Sequence, residues 1–325
     1  MSHMIGGIML TYVLLILGFV LLIKGADFFV VGSSSVAKLL KIPSVIIGLT
    51  IVAFGTSMPE ASVSITAAMA GKNALALSNV VGSNLFNLLV VIGCSALIRS
   101  MPIQASVLKK DFPVSIFATI LLLVMYIPTM YHGEKASMLS RIEGLILLAL
   151  FIAYVASTVK DALKASKEIQ EMGDFQILSA PLTILYIVGG IAAIVYGGDL
   201  VVDCASKIAA SFGLSENFIG LTIVALGTSL PELVTSVVAA KKGESDLALG
   251  NVVGSNLFNI LLILGSSSAL HPIAVTAETV YDTLILLGSS IVVYIFAFHK
   301  KEISRKEAAV ILPIYIAFFI YILMR

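Results

Sequence analysis

The feature that most constrains this chain is an internal repeat of 46 residues. Residues 48–93 and 220–265 align without a gap at a constant offset of 172, and about 29 of the 46 paired positions are identical. Such self-similarity indicates a duplicated structural unit. The repeat contains matched polar side chains, which are Thr56, Ser57, Glu60, Ser83, Asn84 and Asn87 in the first copy and Thr228, Ser229, Glu232, Ser255, Asn256 and Asn259 in the second.

The composition places this repeat in a membrane. Of the 325 residues, 59% are apolar and 12% are charged, and the mean hydropathy is +1.07. Soluble domains carry about 25% charged residues, so these few charges are too few to cover an aqueous surface. The predicted class is an all-α polytopic membrane protein in contact with a lipid bilayer. The net charge of +1 and the lack of a basic cluster give no indication of a nucleic-acid partner.

Ten apolar segments are long enough to span a bilayer, since a transmembrane helix needs about 20 apolar residues. They lie near residues 7–36, 43–70, 74–98, 112–131, 138–161, 177–210, 215–240, 246–270, 278–299 and 303–324. Residues 1–4 read Met-Ser-His-Met and look like the remnant of an expression tag. The predicted five-helix repeats are therefore residues 5–161 and 177–325, joined by a polar linker at 162–176.

Five spans per half is an odd number, so the second half enters the membrane from the opposite side. This predicts inverted repeats related by an axis in the membrane plane. The loops between helices 1–2, 3–4, 5–6, 7–8 and 9–10 hold 14 lysine and arginine residues, and the opposite side holds five. By the positive-inside rule, we expect both termini outside the cell membrane (plasma or inner membrane) and the linker in the cytoplasm.

Helix 2 contains a sequence that should break it. Pro59 removes a backbone donor, and Gly55 adds backbone freedom just before it. We expect the carbonyl groups near Val52 and Ala53 to lose their helical partners, which within a membrane is tolerated where backbone lines a polar cavity. Glu60 follows directly, and a carboxylate inside a membrane marks a functional site by default. The second copy repeats the pattern at Gly227, Pro231 and Glu232.

In a purely structural interpretation of this pattern, the proline only kinks the helix for packing and the glutamate pairs with a lysine. The only candidate lysine inside a nearby span is Lys24, and one lysine cannot serve two glutamates. Because the glutamates recur in register without matching cations, the sequence favours a site.

Helices 3 and 8 present a polar face. Asn79, Ser83 and Asn87 are spaced by four residues and share one side of helix 3. Their copies are Asn251, Ser255 and Asn259. For the serines and for Asn87 and Asn259 the sequence favours a site role, whereas for Asn79, Asn84 and their copies interhelical hydrogen bonding is an equal alternative.

Inverted symmetry would bring the two broken helices together near the bilayer midplane. The side chains gathered there offer only oxygen ligands, which hard cations such as calcium and sodium prefer. His132, His271 and His299 lie near predicted helix ends, and Cys94 and Cys204 lie in apolar surroundings typical of packing, so no cofactor is expected. The residues themselves therefore predict a midplane cation site in an alternating-access carrier, and not an enzyme.

At these motifs, G-T-S-x-P-E and G-S-N-x-F-N, the chain resembles the calcium/cation antiporter superfamily, and its sodium/calcium exchanger branch in particular. The resemblance implies a secondary antiporter whose helices 1 and 6 slide across the other eight. It implies a calcium site at Glu60 and Glu232 with the carbonyls of Thr56 and Thr228. It also implies sodium sites at Ala53, Ser57, Glu60, Ser83 and Asn87, with the counterparts Ala225, Ser229, Glu232, Ser255 and Asn259.

Several positions depart from other branches of the superfamily. Asn259 stands where the potassium-dependent branch commonly has aspartate, which disfavours potassium dependence. The proton-coupled branch typically carries G-N-A-x-E, whereas Asn79 and Asn251 are followed by Val-Val-Gly-Ser-Asn. Ser78 replaces the glycine found at Gly250, so helices 3 and 8 are expected to pack differently. Asp27 and Asp199 are matched acids on the sliding helices, for which a structural role and a role in ion access both stay open.

Sodium and calcium should compete for the same glutamates, because two carboxylates cannot hold three sodium ions and one calcium ion together in a low-dielectric cavity. The three-to-one stoichiometry is itself implied by the resemblance. An alternative is a proton/calcium antiporter using the same glutamates, and a less favoured one is a cation channel. An intramembrane hydrolase using Ser57 is disfavoured, because the chain has no G-x-S-x-G motif and no histidine near either repeat motif. We expect the protein to function as a monomer.

Overall fold

The structure is a computed structural model that describes residues 2–126, 138–168, 178–213 and 225–324. It is mostly helical, as the sequence predicts. The helices are α1 (Ser2–Leu40), α2 in two segments (Ser44–Thr56 and Met58–Met69), α3 (73–98), α4 (107–125), α5 (Arg141–Glu168), α6 (Ala180–Ser211), α7 in two segments (Ala225–Gly227 and Leu230–Lys242), α8 (Ser245–Leu270), α9 (Ala277–Lys300) and α10 (Arg305–Met324).

Seven helices within the described ranges are long and apolar enough to cross a membrane, namely α1, α3, α5, α6, α8, α9 and α10. The two segments of α2, bent by 51°, make an eighth candidate if they are taken as one span. Helices α4 and α7 adjoin residues 127–137 and 214–224, which lie outside the described part. These spans establish an all-α multi-pass membrane protein.

Some helix ends differ from the sequence-based boundaries. Helix α5 continues to Glu168, into the segment expected to be the linker, because Asp161 to Glu168 is rich in alanine, lysine and leucine, which favour helix. The rest of the expected linker, from residue 169, lies outside the described residues. Helix α4 begins with a π-helical turn at Val107–Asp111, five residues earlier than expected, and α1 begins at Ser2, inside the expected tag remnant.

Helices α3 and α8 form the centre of the molecule, and α1 and α6 lie at its outside. In the spanning windows, 94% of the α8 residues and 72% of the α3 residues are buried, against 33% for α1 and 28% for α6. The outer faces of α1 and α6 carry large apolar side chains, with Ile16 65% exposed and Tyr196 74% exposed. Such surfaces suit lipid and not water.

Helices α1 and α6 approach each other through glycine. A Cβ atom added at Gly18 would lie 3.1 Å from the carbonyl oxygen of Gly197, and one added at Gly25 would lie 3.0 Å from that of Gly190. Gly18 and Gly190, like Gly25 and Gly197, are separated by 172 residues, the offset of the repeat. Swapping the two halves therefore converts the Gly18–Gly197 contact into the Gly190–Gly25 contact, as a two-fold relation requires.

Two short antiparallel strand pairs join distant helix ends. Strand β1 (Met101–Pro102) pairs with β4 (Glu302–Ile303), and β2 (Met138–Leu139) pairs with β3 (Ile273–Ala274). The first pair connects the end of α3 to the start of α10, and the second connects the start of α5 to the end of α8. The sequence does not predict these pairs, because two residues are too few to show an alternating pattern.

Candidate cation-binding site

The chain breaks in the middle of α2, as the sequence predicts. Ser57, with φ −84° and ψ 8°, separates the two segments, and Pro59 lies in the first turn of the second segment. A proline is tolerated at this position because the first N–H groups of a helix have no intrahelical partner. The 51° bend turns the start of the second segment, with Glu60, toward the interior.

The expectation that the Ala53 carbonyl lacks a helical partner was wrong. The backbone N–H of Ser57 donates to the carbonyl oxygen of Ala53 at 3.0 Å. The carbonyl oxygen of Val52 lies 3.1 Å from the hydroxyl oxygen of Thr56. The physical reason is that a proline withholds its hydrogen bond from the residue four positions earlier, which is Gly55. The disruption therefore lies nearer the break than the sequence analysis placed it.

The second copy has the same break in α7. Ser229, with φ −92° and ψ 5°, precedes the segment that begins at Leu230, and Pro231 lies in its first turn. Glu232 follows, as Glu60 does in the first copy. Residues 214–224 lie outside the described part of α7, and so does the side chain of Ala225.

Glu60 and Glu232 are fully buried and are linked across the repeats. The hydroxyl of Ser57, at the break of α2, donates to Oε1 of Glu232 at 2.8 Å. The hydroxyl of Ser229, at the break of α7, donates to Oε1 of Glu60 at 2.9 Å. Each glutamate thus binds the break of the other half, and the two breaks form one polar cluster.

The central helices add a second donor to each carboxylate. The hydroxyl of Ser83 lies 3.4 Å from Oε1 of Glu60, and that of Ser255 lies 3.5 Å from Oε1 of Glu232. The other oxygen, Oε2, is buried in both glutamates and has no hydrogen-bond partner among the described residues. A buried carboxylate oxygen of this kind is available to a cation or a proton.

Within the described ranges, neither glutamate has a basic partner. The ion pairs found there include those of Lys110 with Asp161, Lys242 with Asp27 and Lys300 with Glu307. Lys24, the sequence-based candidate for a structural partner, is exposed. The described residues thus give no support to the reading in which a lysine neutralises the pair.

Asn87 and Asn259 bring amide groups to the same region. Both atoms of the Asn87 amide are buried without a partner in the described structure, as is Oδ1 of Asn259. The Asn259 Nδ2 group donates to Oδ1 of Asn84 at 2.9 Å. Each of these residues lies in or beside a π-helical turn, Asn87–Val91 in α3 and Phe258–Leu264 in α8. Such turns are frequent at functional sites.

Asn84 and Asn256 connect the two central helices directly. The amide of Asn84 donates to the carbonyl oxygen of Asn256 at 3.2 Å, and the amide of Asn256 donates to that of Asn84 at 3.3 Å. For this pair the structure shows the interhelical hydrogen bonding that the sequence left as one of two alternatives.

Asn79 and Asn251 also bond between helices, and they reveal two serines that the sequence analysis did not single out. The amide of Asn79 donates to Ser64 Oγ, and that of Asn251 donates to Ser236 Oγ, both at 2.9 Å. Ser64 and Ser236 are fully buried and stand at matched positions of the repeat. Their identity at the 172-residue offset was the signal that could have found them.

The donor set suits a hard cation. The cluster offers carboxylate, hydroxyl and amide oxygens, the ligand types that calcium and sodium prefer. Among the described residues, no group of three or more histidine, cysteine, aspartate or glutamate side chains could hold a metal ion, so a cation here would rely on neutral oxygens besides the two carboxylates. Cys94 and Cys204 are free thiols.

A cavity of about 530 Å³ lies beside the two breaks, against α6. Pro59, Thr228 and Pro231 form part of its wall, and Asp199 and Asp203 of α6 line it as well. Asp27, the matched acid on α1, is instead paired with Lys242 at 2.7 Å. The two matched aspartates therefore have different surroundings, which their sequence similarity did not indicate.

Comparison with known proteins agrees with this architecture. The family described as "Sodium/calcium exchanger protein" matches residues 10–160 and 182–324. The chain is 36% identical to the "Putative antiporter CaxA" of Alkalimonas amylolytica, with 94% of this chain and 96% of that protein covered. It is 33% identical to the "Sodium/calcium exchanger MaX1" of Methanosarcina acetivorans, with 96% and 98% covered.

A solved structure of the sodium-calcium exchanger NCX_Mj, soaked with 10 mM Na⁺ and no Ca²⁺, has the same fold. The TM-score is 0.83 at 32% identity, with 95% of this chain and 98% of that chain covered. A family match over most of the chain, relatives similar over nearly their whole length and a shared fold lead to one conclusion. This chain is a multi-pass membrane transporter that belongs to the sodium/calcium exchanger protein family.

Proposed function

We propose that this protein is a secondary antiporter that exchanges sodium for calcium at the cluster between the breaks of α2 and α7. The observation that carries the proposal is the reciprocal contact of each break serine with the glutamate of the other half. These contacts gather around one place two buried carboxylates, each with an oxygen that has no partner among the described residues. The name of the Methanosarcina acetivorans relative supports sodium as the coupling ion.

The proposed ligands are those that the family resemblance implies, and the chemistry of the cluster supports them. Calcium takes six to eight oxygen ligands, and two carboxylates balance its charge. We assign calcium to Glu60 and Glu232 together with the carbonyls of Thr56 and Thr228. Sodium, which needs fewer charges, is assigned to the surrounding neutral oxygens and the same carboxylates, through Ala53, Ser57, Glu60, Ser83, Asn87, Ala225, Ser229, Glu232, Ser255 and Asn259.

Because of their charge, calcium and the full set of sodium ions cannot occupy the cluster together. Three sodium ions and one calcium ion would place five positive charges against two carboxylates in a medium of low dielectric constant, where repulsion is strong. Without any cation, the pair would keep bare negative charge inside the membrane, at a cost of about 2.5–3.5 kcal/mol for each charge on insertion scales. Movement of the loaded site is thus favoured over movement of the bare site, which is what exchange requires.

The access path follows from the proposed topology of ten spans in two inverted halves. The cavity of about 530 Å³ lies along the second segment of α2, which in this topology is the extracytoplasmic half of the helix. An aqueous route on that side would place the cluster in contact with external cations. Sliding of α1 and α6, held together by their glycine contact, across the other eight helices would then close this side and open the other.

Calcium flux in proteoliposomes tests the proposal. Purified protein is reconstituted, and sodium, potassium and proton gradients are imposed one at a time across vesicles exposed to radioactive calcium. We expect an outward sodium gradient to drive calcium uptake above that of protein-free liposomes, and potassium to have no such effect. Absence of uptake under every gradient would overturn the antiport proposal.

Two other outcomes would replace part of the proposal. Calcium uptake driven by a pH gradient without sodium would identify protons as the coupling ion, since the unpartnered carboxylate oxygens can hold protons in place of metal ions. Single-channel currents far above carrier turnover, recorded in planar bilayers, would identify a cation channel. Either result keeps the two glutamates as the site and changes what moves with calcium.

A further inference from the structure

Two amides, the buried one of Asn251 and the half-buried one of Asn79, link the broken helices across the repeats without touching a carboxylate side chain. Oδ1 of Asn251, in α8, lies 3.0 Å from the hydroxyl oxygen of Thr56, at the break of α2. The Nδ2 group of the same side chain donates to Ser236 in α7. One asparagine therefore ties the break of the first half to the corresponding helix of the second half.

The other half repeats this arrangement. Oδ1 of Asn79, in α3, lies 3.4 Å from the hydroxyl oxygen of Thr228, at the break of α7. Its Nδ2 group donates to Ser64 at 2.9 Å and lies 3.4 Å from the backbone carbonyl oxygen of Glu60. The two asparagines thus form a crossed pair of links, each between a break threonine and a helix of the opposite half.

These amides differ from those of Asn87, Asn256 and Asn259 in having both the Oδ1 and the Nδ2 atom bonded within the described structure. The Oδ1 atoms of Asn79 and Asn251 lie within hydrogen-bond distance of a threonine hydroxyl, which Thr56 shares with the carbonyl oxygen of Val52, and their Nδ2 atoms donate to a serine. Asn87, by contrast, has no partner at either amide atom in the described structure. An amide with both ends bonded to protein is placed to hold other groups and not to bind a cation itself.

We propose that Asn79 and Asn251 are positioning residues, which hold the Thr56 and Thr228 breaks in register with the glutamates of the opposite half. This inference rests on the proposed function, because the register matters only if the breaks bind an ion. It goes beyond that function by assigning a role to two residues outside the proposed ligand set.

The physical reason is that the amide links do not depend on occupancy. The bonds from Ser57 and Ser229 end on carboxylate oxygens, where an arriving cation competes with the hydroxyl proton. The links through Asn79 and Asn251 end on neutral hydroxyl groups and not on carboxylate oxygens. They keep the carbonyls beside Thr56 and Thr228 in place while the carboxylates change partners, which is preorganisation of a site by its supporting residues.

The test compares Asn251→Ala and Thr56→Val with the matched control Asn256→Ala. Thr56→Val removes the hydroxyl at almost constant volume and keeps the backbone carbonyl. Asn256→Ala removes a buried asparagine of the same helix, whose amide bonds to a backbone carbonyl and not to a break threonine. Calcium affinity is measured by equilibrium binding to the purified full-length protein, together with the Michaelis constant and maximal rate of exchange and the temperature of unfolding.

We expect Asn251→Ala and Thr56→Val each to weaken calcium binding by about 10–100-fold, the usual effect of removing a residue that orients metal ligands. The double variant should bind calcium no more weakly than the single variant with the lower affinity, because both changes break the same link. Asn256→Ala should lower the unfolding temperature with calcium affinity within about twofold of the unchanged protein, a difference worth about 0.4 kcal/mol.

Two results would overturn the inference. One is that Asn251→Ala and Asn256→Ala bind calcium with the same affinity while both unfold at a lower temperature. Asn251 would then contribute only to packing, as Asn256 does. The other is additive effects of Asn251→Ala and Thr56→Val. If Asn251→Ala does not fold, Thr56→Val decides by itself, since an unchanged calcium affinity there also overturns the inference. If the unchanged protein did not exchange calcium, the proposed function would be wrong. That outcome is distinguishable from the two results above, which concern only the variants.

Discussion

Ser57 donates its hydroxyl to Oε1 of Glu232 at 2.8 Å, although the two residues are 175 positions apart. The copy of this contact, from Ser229 to Glu60, spans 169 positions in the same chain. Each half of the protein therefore completes the carboxylate surroundings of the other half. A single five-helix half has no complete cluster, which explains why the polar motif has to occur twice.

Removing either buried charge should stop exchange. Glu60→Gln and Glu232→Gln keep the side-chain volume, but each leaves one carboxylate to balance a divalent cation. We expect sodium-driven calcium flux of both variants to fall to the level of protein-free liposomes. The control is Glu302→Gln, in the short strand β4, which should transport normally. Near-normal flux in both site variants would remove these glutamates from the mechanism.

The two break serines should matter equally. Ser57→Ala and Ser229→Ala each remove a proposed sodium ligand together with its hydrogen bond to a carboxylate, and such bonds to charged groups contribute about 1.5–3 kcal/mol. We expect each variant to raise the sodium concentration for half-maximal calcium uptake about 10-fold. Ser62→Ala, which lines the neighbouring cavity, serves as the control. A large effect in one variant and none in the other would argue against a symmetric site.

Substitutions in the ion pair between Lys242 and Asp27 can distinguish a structural role of the aspartate from a role in ion access. The side chains are 33% and 40% exposed, and a pair of this exposure contributes about 0.2–1 kcal/mol to stability. If Asp27 is structural, Asp27→Asn and Lys242→Gln should lower the unfolding temperature by similar small amounts, non-additively, with calcium flux unchanged. Loss of flux in Asp27→Asn alone would instead show that this aspartate lies on the ion path.

The contact of α1 with α6 should tolerate no added side chain at Gly190. A Cβ atom there would lie 2.8 Å from the backbone nitrogen of Phe29 and 2.9 Å from the carbonyl oxygen of Gly25. Because backbone cannot yield as a flexible side chain does, we expect Gly190→Ala to destabilise the protein by about 1–3 kcal/mol, measured by thermal unfolding in detergent.

Gly189→Ala is the matched control for this prediction, since no atom of the described residues lies within 4 Å of the position of the new Cβ atom. It should unfold at the temperature of the unchanged protein. Equal stability of the two variants would mean that α1 and α6 are not held at this separation.

Much of the architecture follows from local sequence. Apolar segments of helical length predict membrane spans because hydrocarbon excludes unpaired backbone, and seven such helices are found in the described residues. The breaks at Ser57 and Ser229 follow from the prolines two residues later, because a proline acts on its own turn. The polar residues of the repeat gather into one cluster, as the matched motifs indicate.

The sequence by itself determined the membrane class, the duplication and the places where the helices break, since these depend on residues that are near neighbours in the chain. Only the tertiary structure decided that Ser57 meets Glu232, that Asn251 meets Thr56, and that Asp27 has a lysine partner while Asp199 lines a cavity. Contacts across more than 150 residues depend on how whole helices pack, and two identical motifs carry no information about which copy each side chain will face.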